Sequence, residues 1–322
     1  MSYFLVKRCL TLLVTLAATS MIVFAVLEVL PGNAAQVLMG ADADPAAVAA
    51  KTLELGLDQP ALQRYGQWVA GLARGDMGLS YVYGTSVSEL IGERLQLTVP
   101  LAVLAMLLTT LLALAVGVYA ASQHNRIGDT GLMAIAQLGI AVPNFWFAIL
   151  LILLFSVKLG WLAAGGFDGW YFDDGLWAGL WEGLKALILP TLALAVVQAA
   201  ILARFARSAV LEVLREDFVR TARAKGLSRR ATLWGHVLRN AMIPVITVMG
   251  LQFAELLAGT IVVESVFYLP GLGRLIFQSI ANRDLIVVRN CVMLLAAMVV
   301  IVNFVVDVLY ALIDPRVKAS EV

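Results

Sequence analysis

Long stretches free of Asp, Glu, Lys and Arg recur along the chain, each close to the length a helix needs to cross a hydrocarbon core. A spanning helix takes about 20 mostly apolar residues, and six segments reach that length. The first runs from Cys9 to Leu27 between Arg8 and Glu28. The second is centred on Thr98 to Ala120, inside a charge-free run from Leu95 to Asn125. The third lies within Thr130 to Val157, the fourth covers Ala186 to Ala203, and the fifth covers Ala241 to Val263 with one acid, Glu255. The sixth runs from Asn290 to Ile313 with Asp307 near its end. The pattern predicts an all-α integral membrane protein with six transmembrane helices, which places both termini on one side. A removable leader is the other reading of Lys7, Arg8 and the first run, but that run exceeds the roughly 7–15 apolar residues of a leader and five more spans follow.

Between the spans the punctuation predicts short helices. Asp44 before Pro45 is a helix start, Gly56 a stop, and Gln59-Pro60 a second start leading into ALQRYGQWVAGLARG. Ser86 with Glu89 three residues on is a possible capping box ahead of the second span. Inside the third span, Pro143 in GIAVPNFWF removes a backbone hydrogen bond, which predicts a kink. The stretch around Trp170, Trp177 and Trp181 reads as an aromatic belt at the membrane surface, with Asp174 as the cap of a short surface helix.

Composition agrees with a membrane protein. Only 14% of the 322 residues are charged and 61% are hydrophobic, and mean hydropathy is +0.90, whereas a soluble domain carries about 25% charge. Lys and Arg accumulate on cytoplasmic loops. With both termini cytoplasmic, the inner segments hold fourteen of the 23 bases, while the outer loop from Glu28 to Arg94 has four bases and eight acids. In this topology Cys9 and Cys291 sit at opposite ends of their spans, too far apart for a disulfide. His124 and His236 have no ligand-like spacing with Cys or carboxylates, so no metal site is expected.

Charge is concentrated in one cytoplasmic loop. Between Arg204 and Arg239 lie nine bases against three acids, Glu212, Glu216 and Asp217, so a chain of net charge +1 holds a local charge of +6. Topology accounts for the sign but not for the local pattern. Helix formers dominate from about Ala209 to Lys225, Gly226 suits the left-handed position past a helix end, and Leu227 can fold back on Ala222. Ser228 is placed to cap the next helix. Phe218, Ala222 and Gly226, spaced i, i+4 and i+8, share one face between Arg220, Arg223 and Lys225. A small-residue stripe with basic shoulders suits docking in a groove of another protein, and anionic lipid alone would need only the bases.

The stretch DFVRTARAKGLSRRATLWGHVLRNAMIPVIT resembles the coupling loop of bacterial ABC importer permeases, in the form typical of the dipeptide and oligopeptide permease family. It departs from the broader class, having Arg220-Thr221-Ala222 before Gly226 and Leu238-Arg239 in place of Leu-Pro. GLSYVYGTSVSELIGERLQLTVPLA, GIAVPNFWFAILLILLFSVKLGWL, VVESVFYLPGLGRLIFQSIANRDL and NFVVDVLYALIDPRV are similar to the same family, so the resemblance spans nearly the whole chain.

That resemblance implies a type I ABC importer permease (MetI-like) fold in a bacterial inner membrane. It implies an N-terminal transmembrane helix over 1–30, a periplasmic helical segment over 31–95, and a permease core over 96–322 with a coupling loop at 204–240. The implied partners are a second homologous permease, two ABC ATPase subunits, an extracytoplasmic substrate-binding protein and the lipid membrane, with no nucleic acid. Asp217, Phe218, Val219, Thr221, Ala222, Ala224, Lys225, Gly226 and Leu227 would form the ATPase-coupling element. The chain has no GxxxxGK[ST] phosphate cradle, so it needs no cofactor of its own, and ATP with Mg would be bound by the ATPase partners. The implied cargo is a dipeptide or oligopeptide, with nickel, glutathione and opine-like compounds as alternatives.

Glu255, inside the fifth span, is a pathway candidate, and a carboxyl hydrogen-bonded to a neighbouring helix is the plainer reading of it. Asp307 reads as structural. An ion-coupled secondary transporter would favour repeated halves and several intramembrane carboxylates, neither of which is visible. A membrane-bound enzyme would need a clustered nucleophile, base or metal set, and two His and two separated Cys do not supply one.

Overall fold

A computed structural model describes residues 2–29, 34–40, 43–170 and 176–313. Thirteen helices run through these residues: α1 Ser2–Val29, α2 Ala34–Met39, α3 Pro45–Glu54, α4 Ala61–Arg74, α5 Val87–Ser122, α6 Ile127–Ile140, α7 Asn144–Leu151, α8 Leu176–Val213, α9 Asp217–Ala224, α10 Arg229–Thr232, α11 Leu238–Val266, α12 Leu272–Ala281 and α13 Leu285–Ile313. Wider π turns prolong α7 through Lys158 and join α10 to α11. Among the described residues the only strand-like pairing is an isolated bridge between Leu79 and Ser86.

Among the described residues, five helical stretches are long and apolar enough to cross a membrane, and a sixth span exists if α6 and the helix beginning at Asn144 count as one. That pair bends by 101°. The expected kink at Pro143 is therefore a full break. Pro143 is extended, with ψ 138°, and stands as the cap before Asn144; proline cannot donate a helical hydrogen bond and pushes the preceding residue out of helical geometry. Pro100, Pro190 and Pro244 lie inside continuous helices instead.

Two further expectations need correction. The helix expected over 209–225 is two helices: α8 ends at Val213, a turn bonds Arg215 N–H to Glu212 O and Glu216 N–H to Val213 O at 3.1 Å each, and α9 begins at Asp217. Propensity favoured continuation, but the turn lets Val219 join the core that holds Val210 and Ala209. The Ser86–Glu89 capping box does not form. Ser88 Oγ instead donates to Gly75 O at 3.0 Å. The Asp44 start is as expected, its carboxylate accepting from Ala46 N–H at 3.2 Å, while the Asp174 cap lies outside the described residues.

The chain divides into two compact units. The first comprises 1–5, 99–269 and 302–322. In it α8 packs on α6, α7 and α11, around a core rich in alanine, including Ala113, Ala121, Ala199, Ala203, Ala206 and Ala241. Small residues let helices approach closely where lipid provides no hydrophobic drive. The α5–α8 crossing is the extreme case: a Cβ on Gly117 would lie 2.7 Å from Ala203 O and 2.8 Å from Ala206 Cβ. Gln252 of α11 donates to Gln198 of α8 at both its carbonyl (3.1 Å) and its side-chain oxygen (3.0 Å), a buried polar tie inside the bundle.

The second unit comprises 6–98 and 270–301. Val87 and Ile91 of α5 meet Leu272 and Leu275 of α12 and Val287 and Cys291 of α13. Phe24 and Trp68 stack at 6.1 Å between ring centroids, and Tyr65 meets both edge-on at 5.4 and 6.2 Å. Cys9 is exposed and Cys291 buried, both as free thiols.

Candidate functional site

α9 is eight residues long and closes with the backbone pattern its sequence suggests. Gly226 has φ +90°, its N–H bonds Arg223 O at 3.0 Å, and Leu227 N–H reaches back to Ala222 O at 3.3 Å. These paired bonds satisfy carbonyls that a helix end leaves open. Ser228 Oγ then accepts from Ala231 N–H at 3.2 Å and starts α10. The joint between the two helices is thus held by hydrogen bonds at both ends.

The faces of α9 are set by what packs behind it. Val219 and Ala222 are buried, at 1% and 8% exposure. Asp217, Phe218, Thr221, Ala224, Lys225, Gly226 and Leu227 are exposed. The expected stripe of Phe218, Ala222 and Gly226 is therefore split: Ala222 is buried, and the outward stripe is Asp217, Thr221 and Ala224, spaced i, i+4 and i+7. Arg220, exposed beside it, donates to Asp217 at 3.2 Å. That ion pair is solvated and adds little stability. It leaves a small-surfaced, hydrated ridge framed by Arg220, Arg223 and Lys225.

Ahead of α9, a cluster that the sequence did not reveal pins α8 to α6. Arg207 donates to both oxygens of Asp129, from Nε at 2.6 Å and Nη2 at 2.7 Å. Asp129 is 2% exposed and also accepts from Asn125 N–H at 3.0 Å. His124 Nδ1 lies 3.2 Å from Arg207 Nη2. Such a two-pronged guanidinium–carboxylate contact fixes orientation as well as distance. His124 belongs to this cluster. A lone Asp-Thr-Gly after a turn carries no signal that its partner lies 78 residues away.

Glu255 sits in α11 on an exposed face with Leu251 and Ala258. It is not the only acid in that helix, because α11 runs on to Val266 and holds Glu264, which is fully buried. Asp307 is half-buried in α13. None of these three is brought to α9. Trp177 and Trp181 are 82% and 65% exposed, while Trp170 packs edge-on against Phe167.

Within the second unit, Asp284 is a fully buried acid that the sequence pattern did not single out. It accepts from Ser80 Oγ, from Val82 N–H at 3.1 Å and from Val287 N–H at 3.4 Å. One carboxylate thereby caps α13 and anchors the 80–82 loop. Trp68 Nε1 donates to Asn290 Oδ1 at 2.9 Å, and Asn290 Nδ2 donates to Met77 O at 2.9 Å. Among the described residues no group of three or more His, Cys, Asp or Glu could hold a metal ion.

Comparison with known proteins brings these features together. Residues 113–319 match the family described as the binding-protein-dependent transport system inner membrane component. Residues 1–102 match the N-terminal family of the same membrane component. A Brucella abortus (strain 2308) protein named as a peptide transport system permease is 41% identical over 319 residues, covering 99% of each chain. The dipeptide transport system permease of Alkalihalophilus pseudofirmus is 38% identical over 326 residues, 97% of this chain and 98% of that one. The glutathione transport system permease of Escherichia coli K12 is 41% identical over 315 residues, 98% of each. A crystal structure of an amino acid ABC transporter with histidines shares the fold, with a TM-score of 0.50 at 17% identity over 71% of this chain and 94% of that one.

Proposed function

The chain belongs to the binding-protein-dependent transport system inner membrane component family, and from that premise we propose that it is a permease subunit of an ATP-driven importer of dipeptides or oligopeptides. It is an inner-membrane transport component, and its full-length relatives are named as transport system permeases. The observation that carries the cargo assignment is end-to-end similarity, 38% identity over 97% of the chain, to a dipeptide permease. Glutathione is the second reading, favoured by the relative that is 41% identical over 98% of the chain and named for it.

In this reading the chain pairs with a second, similar permease around a pathway, two ABC ATPases bind beneath it, and a binding protein delivers cargo from outside. ATP and Mg are held by the ATPases. The loop 204–240 is the coupling element. α9 seats its outward ridge of Asp217, Thr221 and Ala224 in an ATPase cleft, with Phe218 and Lys225 at the side and Gly226 and Leu227 at the end. Val219 and Ala222 root the helix in the bundle, so displacement of α9 is passed on rather than absorbed. Residues 1–30 supply the first span, 31–95 the outer helices, and 96–322 the permease core. Glu255 meets the amino group of a passing peptide or a partner helix.

The test is uptake by the full complex in proteoliposomes. Dipeptide uptake is expected to require ATP, and a bulky Ala224→Trp on the outward ridge is expected to abolish it while the chain still inserts. ATP-dependent uptake of glutathione with no uptake of a dipeptide panel overturns the peptide assignment. Wild-type uptake by Ala224→Trp overturns the docking role of α9.

A further inference from the structure

Arg289 is a half-buried guanidinium four residues into α13. Two rings lie on one side of it: the guanidinium carbon is 4.6 Å from the centroid of Trp68 and 5.6 Å from that of Phe24. Nε is sealed from solvent and has no hydrogen-bond partner. Burying such a donor is costly unless something accepts from it.

The neighbouring acids are already engaged. Glu28 accepts from Arg64, and Asp76 accepts from Gly78 N–H at 2.9 Å. Beside Arg289 opens a cavity of about 280 Å³, walled by the outer end of α1, by α4, by the loop through Tyr81 and by the start of α13. That is near the lower end of about 300–1,000 Å³ for small-molecule pockets, which suits a dipeptide-sized molecule or a headgroup. The walls are fixed in advance: Trp68 is held by Asn290 at 2.9 Å and Tyr65 by Ser20 at 2.8 Å. Burial pushes the Tyr81 phenol up from its ordinary value, so at neutral pH it stays protonated and able to donate.

We propose that this cavity binds a small ligand through an oxyanion, a carboxylate or a phosphate, seated on the guanidinium edge of Arg289. Ring contacts on one side of the guanidinium leave its coplanar N–H donors for an acceptor, and a two-oxygen anion matches that fork. With Arg64 committed to Glu28 and to Gln59 O, at 3.1 Å for the latter, Arg289 carries the recognition. The assignment does not depend on what the importer transports. The shared chemistry has two sources, the carboxylate of a short peptide or acid and the phosphate of a lipid headgroup or free anion.

The full-length protein, purified in phosphate-free maltoside detergent, is titrated calorimetrically with Ala-Ala, with its C-terminal amide and with inorganic phosphate, and retained phospholipid is read by native mass spectrometry. At least one oxyanion is expected to bind, and binding to Arg289→Gln is expected to be about tenfold weaker or worse, with Arg289→Lys between. Loss of binding on amidation assigns the carboxylate. Phosphate binding, or phospholipid retained by the wild type and lost from Arg289→Gln, assigns the phosphate. The acid-versus-amide comparison uses the wild type alone, so it stands even if Arg289→Gln fails to fold. The proposal is overturned if no oxyanion probe or phospholipid associates with the wild type, or if association is equal in Arg289→Gln at an unchanged melting temperature.

Discussion

The joint at Gly226 lends itself to a graded perturbation, because its cost comes from the backbone alone. A Cβ built there meets nothing within 4 Å, so no side chain clashes. The strain arises from φ +90°, a conformation that costs an ordinary residue about 1–2 kcal/mol. That corresponds to a factor of about 5–30 in the population of the closed joint. Asn tolerates this region best among residues with a side chain, and β-branched residues tolerate it worst. The series Gly226→Asn, Gly226→Ala and Gly226→Val should therefore fall in that order. Two assays read it. Hydrogen exchange at Leu227 N–H, which is bonded to Ala222 O at 3.3 Å, should accelerate by about 5–30-fold for the Ala variant. ATP-dependent uptake in proteoliposomes should decline along the same series. If Gly226→Val transports at the wild-type rate while its Leu227 exchange is accelerated, the closed joint is not what an ATPase engages. If Asn is worse than Val in exchange, the backbone account is wrong.

Other perturbations separate structural from functional charge. Asp129→Ala strands Arg207, whose side chain is 22% exposed, and discounting a buried-pair loss for that exposure leaves about 2–3 kcal/mol. Thermal unfolding in detergent should show it, and adding Arg207→Ala should cost less than the sum of the single variants; full additivity would mean the pair does not interact. Glu255→Gln should reduce uptake of peptides with a free amino terminus more than that of N-acetylated peptides, and an equal response to both would remove its charge from amine recognition.

The helical spans were legible because charge-free runs of helix length have few other meanings in a chain this apolar. The Gly226 joint and the Ser228 cap were legible because both are local, each set by residues within a few positions. Sequence periodicity alone misjudged the face of α9. It grouped Phe218, Ala222 and Gly226, but which side of a short helix turns inward depends on the surface it meets, and here Val219 joins the core that holds Val210 and Val237 while Ala222 is also buried. An Ala222→Arg variant would thus disturb packing before docking, whereas Ala224→Trp tests docking directly. The long-range polar ties were invisible for the same reason. Arg207–Asp129, Ser80–Asp284 and Trp68–Asn290 join residues 78, 204 and 222 positions apart. The break at Pro143 was half legible, since proline announced a disturbance but four prolines in apolar runs look alike and only this one ends its helix.

The close approach at Gly117 gives the C-terminal end of α8 a mechanical character. Its ideal Cβ position falls 2.7 Å from Ala203 O and 3.1 Å from Arg207 N, and from Arg207 the helix continues only to Val213, about two turns. Arg207 also grips Asp129 at the start of α6, so three helices are located at one residue. With only the Ala206 methyl and backbone atoms facing Gly117, the α5 and α8 backbones cannot be squeezed closer together. In the proposed coupling this contact would act as a fulcrum rather than a cushion: a push on the short arm beyond it would tilt the long arm of α8, with little of the stroke lost to compression.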